Sequence, residues 1–156
     1  MIDTQYLERA VALALDNVTS HGGGPFGALI VRQSEVLSES VNRVTATNDP
    51  TAHAEVVAIR KACEKLGSFE LPGCVLYTSC EPCPMCLAAA YWARLDRVYF
   101  AASRQDAAAA GFDDEFLYEE LVKPLSERRL PIARMEVEQR CAPFEAWNRD
   151  QSKIRY

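Results

Sequence analysis

The chain has 156 residues, a length that fits one domain and can bury a continuous core without staples. Apolar residues make up 49% and charged residues 25%, and the net charge of -5 speaks against a nucleic-acid binder, whose phosphate contacts need clustered Lys and Arg. No apolar run approaches the roughly 18 residues of a membrane span, so no membrane partner is expected.

The opening Met1-Ile2-Asp3-Thr4-Gln5 has neither a basic n-region nor an apolar h-region, which predicts no secretory signal and a cytoplasmic protein. Thiols stay reduced in that compartment. The six cysteines are therefore read as metal ligands or buried packing rather than disulfides.

Over residues 4–20 the apolar Tyr6, Leu7, Ala10, Val11, Ala14, Leu15 and Val18 recur at three- and four-residue steps, predicting a helix with one packed face that Gly22-Gly23-Gly24-Pro25 ends. Residues 26–32 and 36–42 read as the two strands of a hairpin. Asn48-Asp49-Pro50 predicts a helix start, with Asp49 as N-cap and Pro50 at the first helical position, so that His53 and Glu55 fall in its first turns and Gly67 stops it. Residues 74–78, 84–94 and 97–102 read as strand, helix and strand, a crossover unit that makes this part of the sheet parallel.

Beyond it, residues 105–110 are Ala-rich and helical in pattern, and Gly111-Phe112-Asp113-Asp114 breaks them. Phe116, Leu117, Glu120 and Leu121 suggest a short helix before Pro124, residues 132–137 alternate as a final edge strand, and residues 143–153 form a last helix carrying Phe144 and Trp147. With no repeat or linker, residues 1–156 read as a single α/β domain of about five strands between helices.

The chemistry lies in two short stretches. With Pro84 opening a helix, Cys83 and Cys86 share one side of its first turn, where the helix dipole and unpaired amides favour thiolate, the form that binds metal. His53 occupies the equivalent place on the other helix. Together they would supply three ligands to a zinc ion and leave a fourth position for water, the arrangement of a catalytic rather than a structural zinc. Glu55, two residues after His53, is placed to take a proton from that water.

A lone Cys-x-x-Cys is also a common buried pair, and His-x-Glu alone carries little. Their conjunction, with Pro82 before Cys83, is the zinc-deaminase signature. Cys80 extends the run to Cys-x-x-Cys-x-x-Cys, which with His53 could close a structural zinc site or echo an iron-sulfur pattern. The first leaves Glu55 without a role and the second lacks its fourth Cys, so Cys80 is assigned to the surroundings of the site. Cys63, Cys74 and Cys141 are read as structural, and His21 as a helix-end residue.

At these residues the chain resembles the cytidine deaminase superfamily, and within it is similar to the small bacterial guanine deaminases. The resemblance runs through Gly23-Gly24-Pro25-Phe26-Gly27-Ala28, Asn42, Asn48-Asp49-Pro50-Thr51-Ala52-His53-Ala54-Glu55, the stretch from Thr78 to Cys86, Tyr91-Trp92-Ala93-Arg94, Ala110-Gly111-Phe112-Asp113-Asp114 and Tyr156. The zinc motif marks the superfamily. Gly111 to Asp114 and the terminal tyrosine mark the narrower group.

The resemblance implies a three-layer, cytidine-deaminase-like α/β fold with a mixed five-stranded sheet. It implies one Zn2+ per chain, held by His53, Cys83 and Cys86 with water or hydroxide as fourth ligand, and a homodimer whose segments of about residues 132–156 are exchanged. The reaction would be hydrolysis of guanine to xanthine and ammonia, with a purine base as the small-molecule partner. Glu55 and Asp114 would carry protons, Phe26 would stack on the base, and Asn42 and the Ala54 amide would hold its oxygen or ring edge. Trp92 would line the pocket, and Tyr156 would close it from the partner chain.

Each contact residue also has an ordinary fate: Phe26 and Trp92 in a core, Asn42 in a turn, Asp114 at a helix start, Tyr156 at a frayed end. Deaminases of isocytosine, cytosine, ammeline or guanosine share so much of the pocket that they stay open. A tRNA adenosine deaminase carries a basic C-terminal helix, whereas Glu136, Glu138, Glu145 and Asp150 are interspersed here. A non-catalytic zinc module predicts four saturating protein ligands.

Overall fold

The computed structural model describes residues 4–156, and the reading of Met1 to Asp3 as free of a leader lies outside them. The chain divides into two units, Met1–Phe116 and Leu117–Tyr156.

The first unit is a sheet with helices on both faces. Helix α1, Thr4–Thr19, precedes a hairpin of β1, Gly27–Arg32, and β2, Glu35–Val41. A single turn of helix, α2, Val44–Thr47, leads to α3, Ala54–Leu66. Then come β3, Cys74–Cys80, α4, Pro84–Trp92, β4, Arg97–Ala102, and α5, Arg104–Ala109. The strand order is β2-β1-β3-β4, with β1 antiparallel to both its neighbours and β3 parallel to β4, so the sheet is mixed as expected.

Alternation along the strands builds the layers. Ala28 and Ile30 of β1 and Leu76 of β3 turn toward Ala54, Ala58, Ile59 and Ala62 of α3, with Ala89 and Ala93 at the end of α4 packed against the same cluster. Leu29 and Val31 of β1 and Tyr77 of β3 turn the other way, toward Tyr6, Leu7, Ala10 and Leu13 of α1. A Cβ on Gly27 would run into the Ala10 carbonyl oxygen and lie 2.9 Å from Ala14 N, so glycine lets α1 lie directly on the strand. No helix among the described residues is long and apolar enough to cross a membrane.

The helix expected to open at Asp49-Pro50 opens instead at Ala54, with His53 as its N-cap at φ -65° and ψ 152°. The Asp49 carboxylate is spent locally, accepting from Thr51 N at 2.8 Å and Thr51 Oγ1 at 2.7 Å, and Asn48, in the left-handed region at φ 52°, ends α2 just before it. The sheet also has four strands where five were expected. Residues 132–137 alternate in character but form no ladder, and Ile132, Met135 and Val137 are exposed; an alternating run becomes a strand only where a neighbour takes up its N–H and C=O groups.

Helix α6, Glu115–Val122, crosses into the second unit, where a 3₁₀ turn, Leu125–Glu127, and α7, Ala142–Arg149, follow. Arg128 donates to the carbonyls of Leu121 and Lys123, both at 3.2 Å, and Glu120 accepts from Lys123 Nζ at 2.7 Å and Arg129 N at 2.6 Å, which folds the chain back after α6. No residue of 117–156 is buried.

Candidate active site

The site is built on two helix N-termini. His53 is the N-cap of α3 and Cys83 the N-cap of α4, where Pro84 supplies the preset φ of the first helical position. Neither side chain caps its own helix. Both turn instead to a shared point, joined there by Cys86 from the first turn of α4. His53 Nδ1 lies 3.6 Å from Cys83 Sγ and 3.4 Å from Cys86 Sγ, and the three ligand atoms all fall within 4.8 Å of one another.

These separations fit zinc. Tetrahedral angles with Zn–N near 2.0 Å and Zn–S near 2.3 Å put nitrogen and sulfur about 3.5 Å apart. The donor set of one imidazole and two thiols is also a zinc set, and the three are the group among the described residues with ligand atoms so gathered. Cys80 does not join it: its Sγ donates to the Ser103 carbonyl at 3.6 Å, and burial pushes its thiol up to about 11. The closed structural site with Cys80 as a fourth ligand is thereby not formed.

The protons follow the geometry. A hydrogen bond from the Cys86 thiol holds Cys83 down at about 4, with His53 adding to the effect, and Cys86, as the donor, is pushed up in return. The hydrogen bond to Cys83 raises His53 above its ordinary value. A cation bound at this point would compete with the protons on the three ligand atoms. Glu55, in the first turn of α3, is 5% exposed, and burial raises its carboxyl well above the usual carboxylate range. Asp114 is half-buried and raised for the same reason, with the negative charge on Cys83 as the next cause.

The remaining residues of the expected site lie as follows. Phe26 is half-buried ahead of β1 and meets the Phe112 ring edge-on, with centroids 5.0 Å apart and planes at 89°. Asn42 is buried just past β2; its N donates to Phe26 O at 3.0 Å and its Oδ1 accepts from Val44 N at 3.2 Å. Ala54 is fully buried as the first residue of α3, where an amide has no partner inside the helix. Trp92, the last residue of α4, is 64% exposed. Tyr156 belongs to the second unit, where it stands 73% exposed with its ring 6.3 Å from that of Trp147.

Sequence reasoning gave no role to Phe112 beyond marking the Gly111 break. Its one signal is an aromatic set inside a polar turn. His21, expected at a helix end, sits just past α1 at φ 59°.

Residues 1–102 match the family described as the cytidine and deoxycytidylate deaminase zinc-binding region. A guanine deaminase of Bacillus subtilis is 53% identical over 151 residues, covering 97% of both chains. The X-ray structure of guanine deaminase from Bacillus subtilis superposes with a TM-score of 0.97 at 52% identity, over 100% of this chain and 99% of that one. A tRNA-specific adenosine deaminase of Agrobacterium fabrum is 50% identical, but over 78 residues that cover 50% of this chain and 51% of its own. With His53, Cys83 and Cys86 gathered as a zinc site inside the matched region, the chain belongs to the cytidine and deoxycytidylate deaminase family.

Proposed function

We propose that the protein is a zinc-dependent guanine deaminase, hydrolysing guanine to xanthine and ammonia. One observation carries the reading: the 53% identity to a guanine deaminase runs over 97% of both chains, through the residues after 102 as well as the zinc region. A tRNA-specific adenosine deaminase of Haemophilus influenzae also spans 97% of this chain, but at 29% identity against 53% for the guanine deaminase.

His53, Cys83 and Cys86 would hold the zinc, which when bound lowers the pKa of a water to about 7 and prepares it to attack the ring carbon bearing the amino group. Glu55 takes the proton from that water. Its buried setting raises its affinity for the proton, which suits it to hand the proton on to a ring nitrogen. Glu55 or Asp114 then takes the proton of the new hydroxyl and passes it to the amino group; the bond from carbon to that nitrogen breaks as the carbonyl forms, so that guanine and water become xanthine and ammonia.

Binding of the base falls to Asn42, Ala54, Phe26 and Trp92. Asn42 Oδ1 is taken by Val44 N, so its Nδ2 is the end left to donate to an acceptor on the base, and the Ala54 N–H offers a second donor. Phe26, braced edge-on by Phe112, supplies a face for stacking. Trp92 lines the pocket.

The active form is a homodimer in the cytoplasm whose C-terminal segments are exchanged, with Tyr156 closing the partner's pocket. In support, no residue of 117–156 is buried, and the large apolar or aromatic Leu130, Met135, Val137, Phe144, Ile154 and Tyr156 are each at least 60% exposed. Residues 132–137 have the alternation of a strand and form no ladder among the described residues. The test of the function is the appearance of xanthine from guanine with the zinc-loaded protein, and its loss in Glu55→Gln.

A further inference from the structure

Asn17 stands in the last turn of α1, on the layer that carries no metal ligand, yet it is only 5% exposed. A buried amide needs partners, and those of Asn17 all lie in one place. Its backbone carbonyl accepts from Gly22 N at 2.7 Å and Gly23 N at 3.2 Å. Its Nδ2 donates to Gly24 O at 2.8 Å and to Asn42 O at 3.1 Å. Gly24 O accepts Phe26 N as well, at 2.8 Å, and Phe26 O accepts Asn42 N at 3.0 Å. The bonds close a ring through Asn17, Gly24, Phe26 and Asn42, with the Asn17 side chain as its only member from a helix.

We infer that Asn17 is a positioning residue for substrate, fixing through this ring the Asn42 donor; the inference rests on the base-binding role proposed above for Asn42. The glycines of the loop agree with it. A Cβ on Gly22 would come 2.5 Å from Asn17 Oδ1, and one on Gly23 would meet Asn42 O at 2.8 Å and Asn17 Nδ2 at 3.2 Å. The loop lacks side chains where the Asn17 amide and the Asn42 carbonyl need the room. Asn42 is thereby held at N, O and Oδ1, which orients its amide and leaves the Nδ2 hydrogens to donate. Preorganisation of this kind acts on the binding of the base, not on the proton transfers at Glu55.

A rival account makes Asn17 an ordinary end to α1, but its backbone carbonyl already fills that role with Gly22 N and Gly23 N. The two accounts part in a double-mutant cycle on the zinc-loaded enzyme, with Asn17→Ala, Asn42→Ala and the pair. A residue acting through Asn42 gives KM for guanine raised about tenfold in Asn17→Ala, with kcat within about threefold of the unaltered enzyme and one zinc per chain retained. The pair is then no worse than Asn42→Ala alone, because the Asn17 effect has lost its object. Should Asn17→Ala fold poorly, Gly22→Ala displaces the same amide from the loop side, and the same KM rise and the same non-additivity are expected. An unchanged KM, or losses that multiply with Asn42→Ala, overturn the inference. If the unaltered enzyme ignores guanine but deaminates another ring, the base assignment fails, and the cycle is read on that ring, where additivity still decides against Asn17.

Discussion

Cys86 Sγ and His53 Nδ1 lie 3.4 Å apart, although 33 residues separate them and each belongs to the first turn or cap of a different helix. That approach is possible because the N-cap side chains of α3 and α4 are released from capping their own helices. Replacing either residue should remove the metal: in His53→Ala and Cys86→Ser, zinc measured by elemental analysis falls from one per chain to near zero. The fold should weaken with it, since metal binding to a site that forms only on folding adds to stability.

Occupancy should also depend on pH. Zinc displaces a proton from His53, which Cys83 holds above the ordinary histidine value, and from Cys86, whose thiol is pushed up. Affinity therefore falls as the pH drops through neutral and below. Competition with a chromophoric chelator at stepped pH reads this directly; an affinity that rises on acidification contradicts the ligand set.

Glu55→Gln should keep one zinc and lose about 10²- to 10⁴-fold in kcat, the usual worth of a positioned proton carrier. The same change should stabilise the metal-free protein. The folded-state pKa of Glu55 is raised by burial, so folding favours its protonated form. Stability is lost as the pH rises from the unfolded value near 4.5 to the raised one, and the penalty persists above it. Glutamine lacks that penalty. Melting temperatures of the two apo proteins should coincide at low pH and diverge at pH 7 in favour of the Glu55→Gln variant, by about 2–4 °C for each kcal/mol removed.

Gly27→Ala tests the packing of α1 on β1. The new methyl meets the Ala10 carbonyl oxygen and stands 2.9 Å from Ala14 N and Leu13 Cβ, all on a helix that cannot yield locally. A loss of about 1–3 kcal/mol in a denaturant titration is expected, with no change of metal stoichiometry. A neutral result would mean that α1 is free to slide.

The exchanged dimer can be tested by complementation. Glu55→Gln and Tyr156→Ala should each be impaired, one in chemistry and one in closing the partner's pocket. Unfolded together and refolded, they should recover about a quarter of the unaltered activity, since half of randomly formed dimers are mixed and each has one intact site. Sedimentation should give twice the mass of a chain. No recovery in a mixed dimer counts against exchange.

The metal centre was readable in the sequence because its signals are local. Pro84 fixes the start of α4, and the spacing of Cys83 and Cys86 then puts both sulfurs at one helix end. The start of α3 was misplaced because Asp49 and Pro50 carry the chemistry of a cap, while the Asp49 carboxylate is taken by Thr51. No local signal tells a cap from a turn when both use the same residue. Residues 132–137 have the alternation of a strand, but pairing is a property of neighbours, and none is available within the sheet. Asn17 and Phe112 were invisible as site residues for a related reason. Each acts through contacts closed by folding, with Gly24 and Asn42 in one case and Phe26 in the other.

The base acted on is read most directly by the ammonia it releases. Ammonia release should be measured with protein holding one zinc per chain, on guanine, guanosine, cytosine, isocytosine, ammeline and an adenosine-bearing tRNA anticodon arm, with Glu55→Gln as control. Xanthine and ammonia are expected in equal amounts from guanine, at a kcat/KM well above that for every other substrate. No ammonia from guanine, with zinc in place and release from another ring or from the anticodon arm, would contradict guanine as the base acted on.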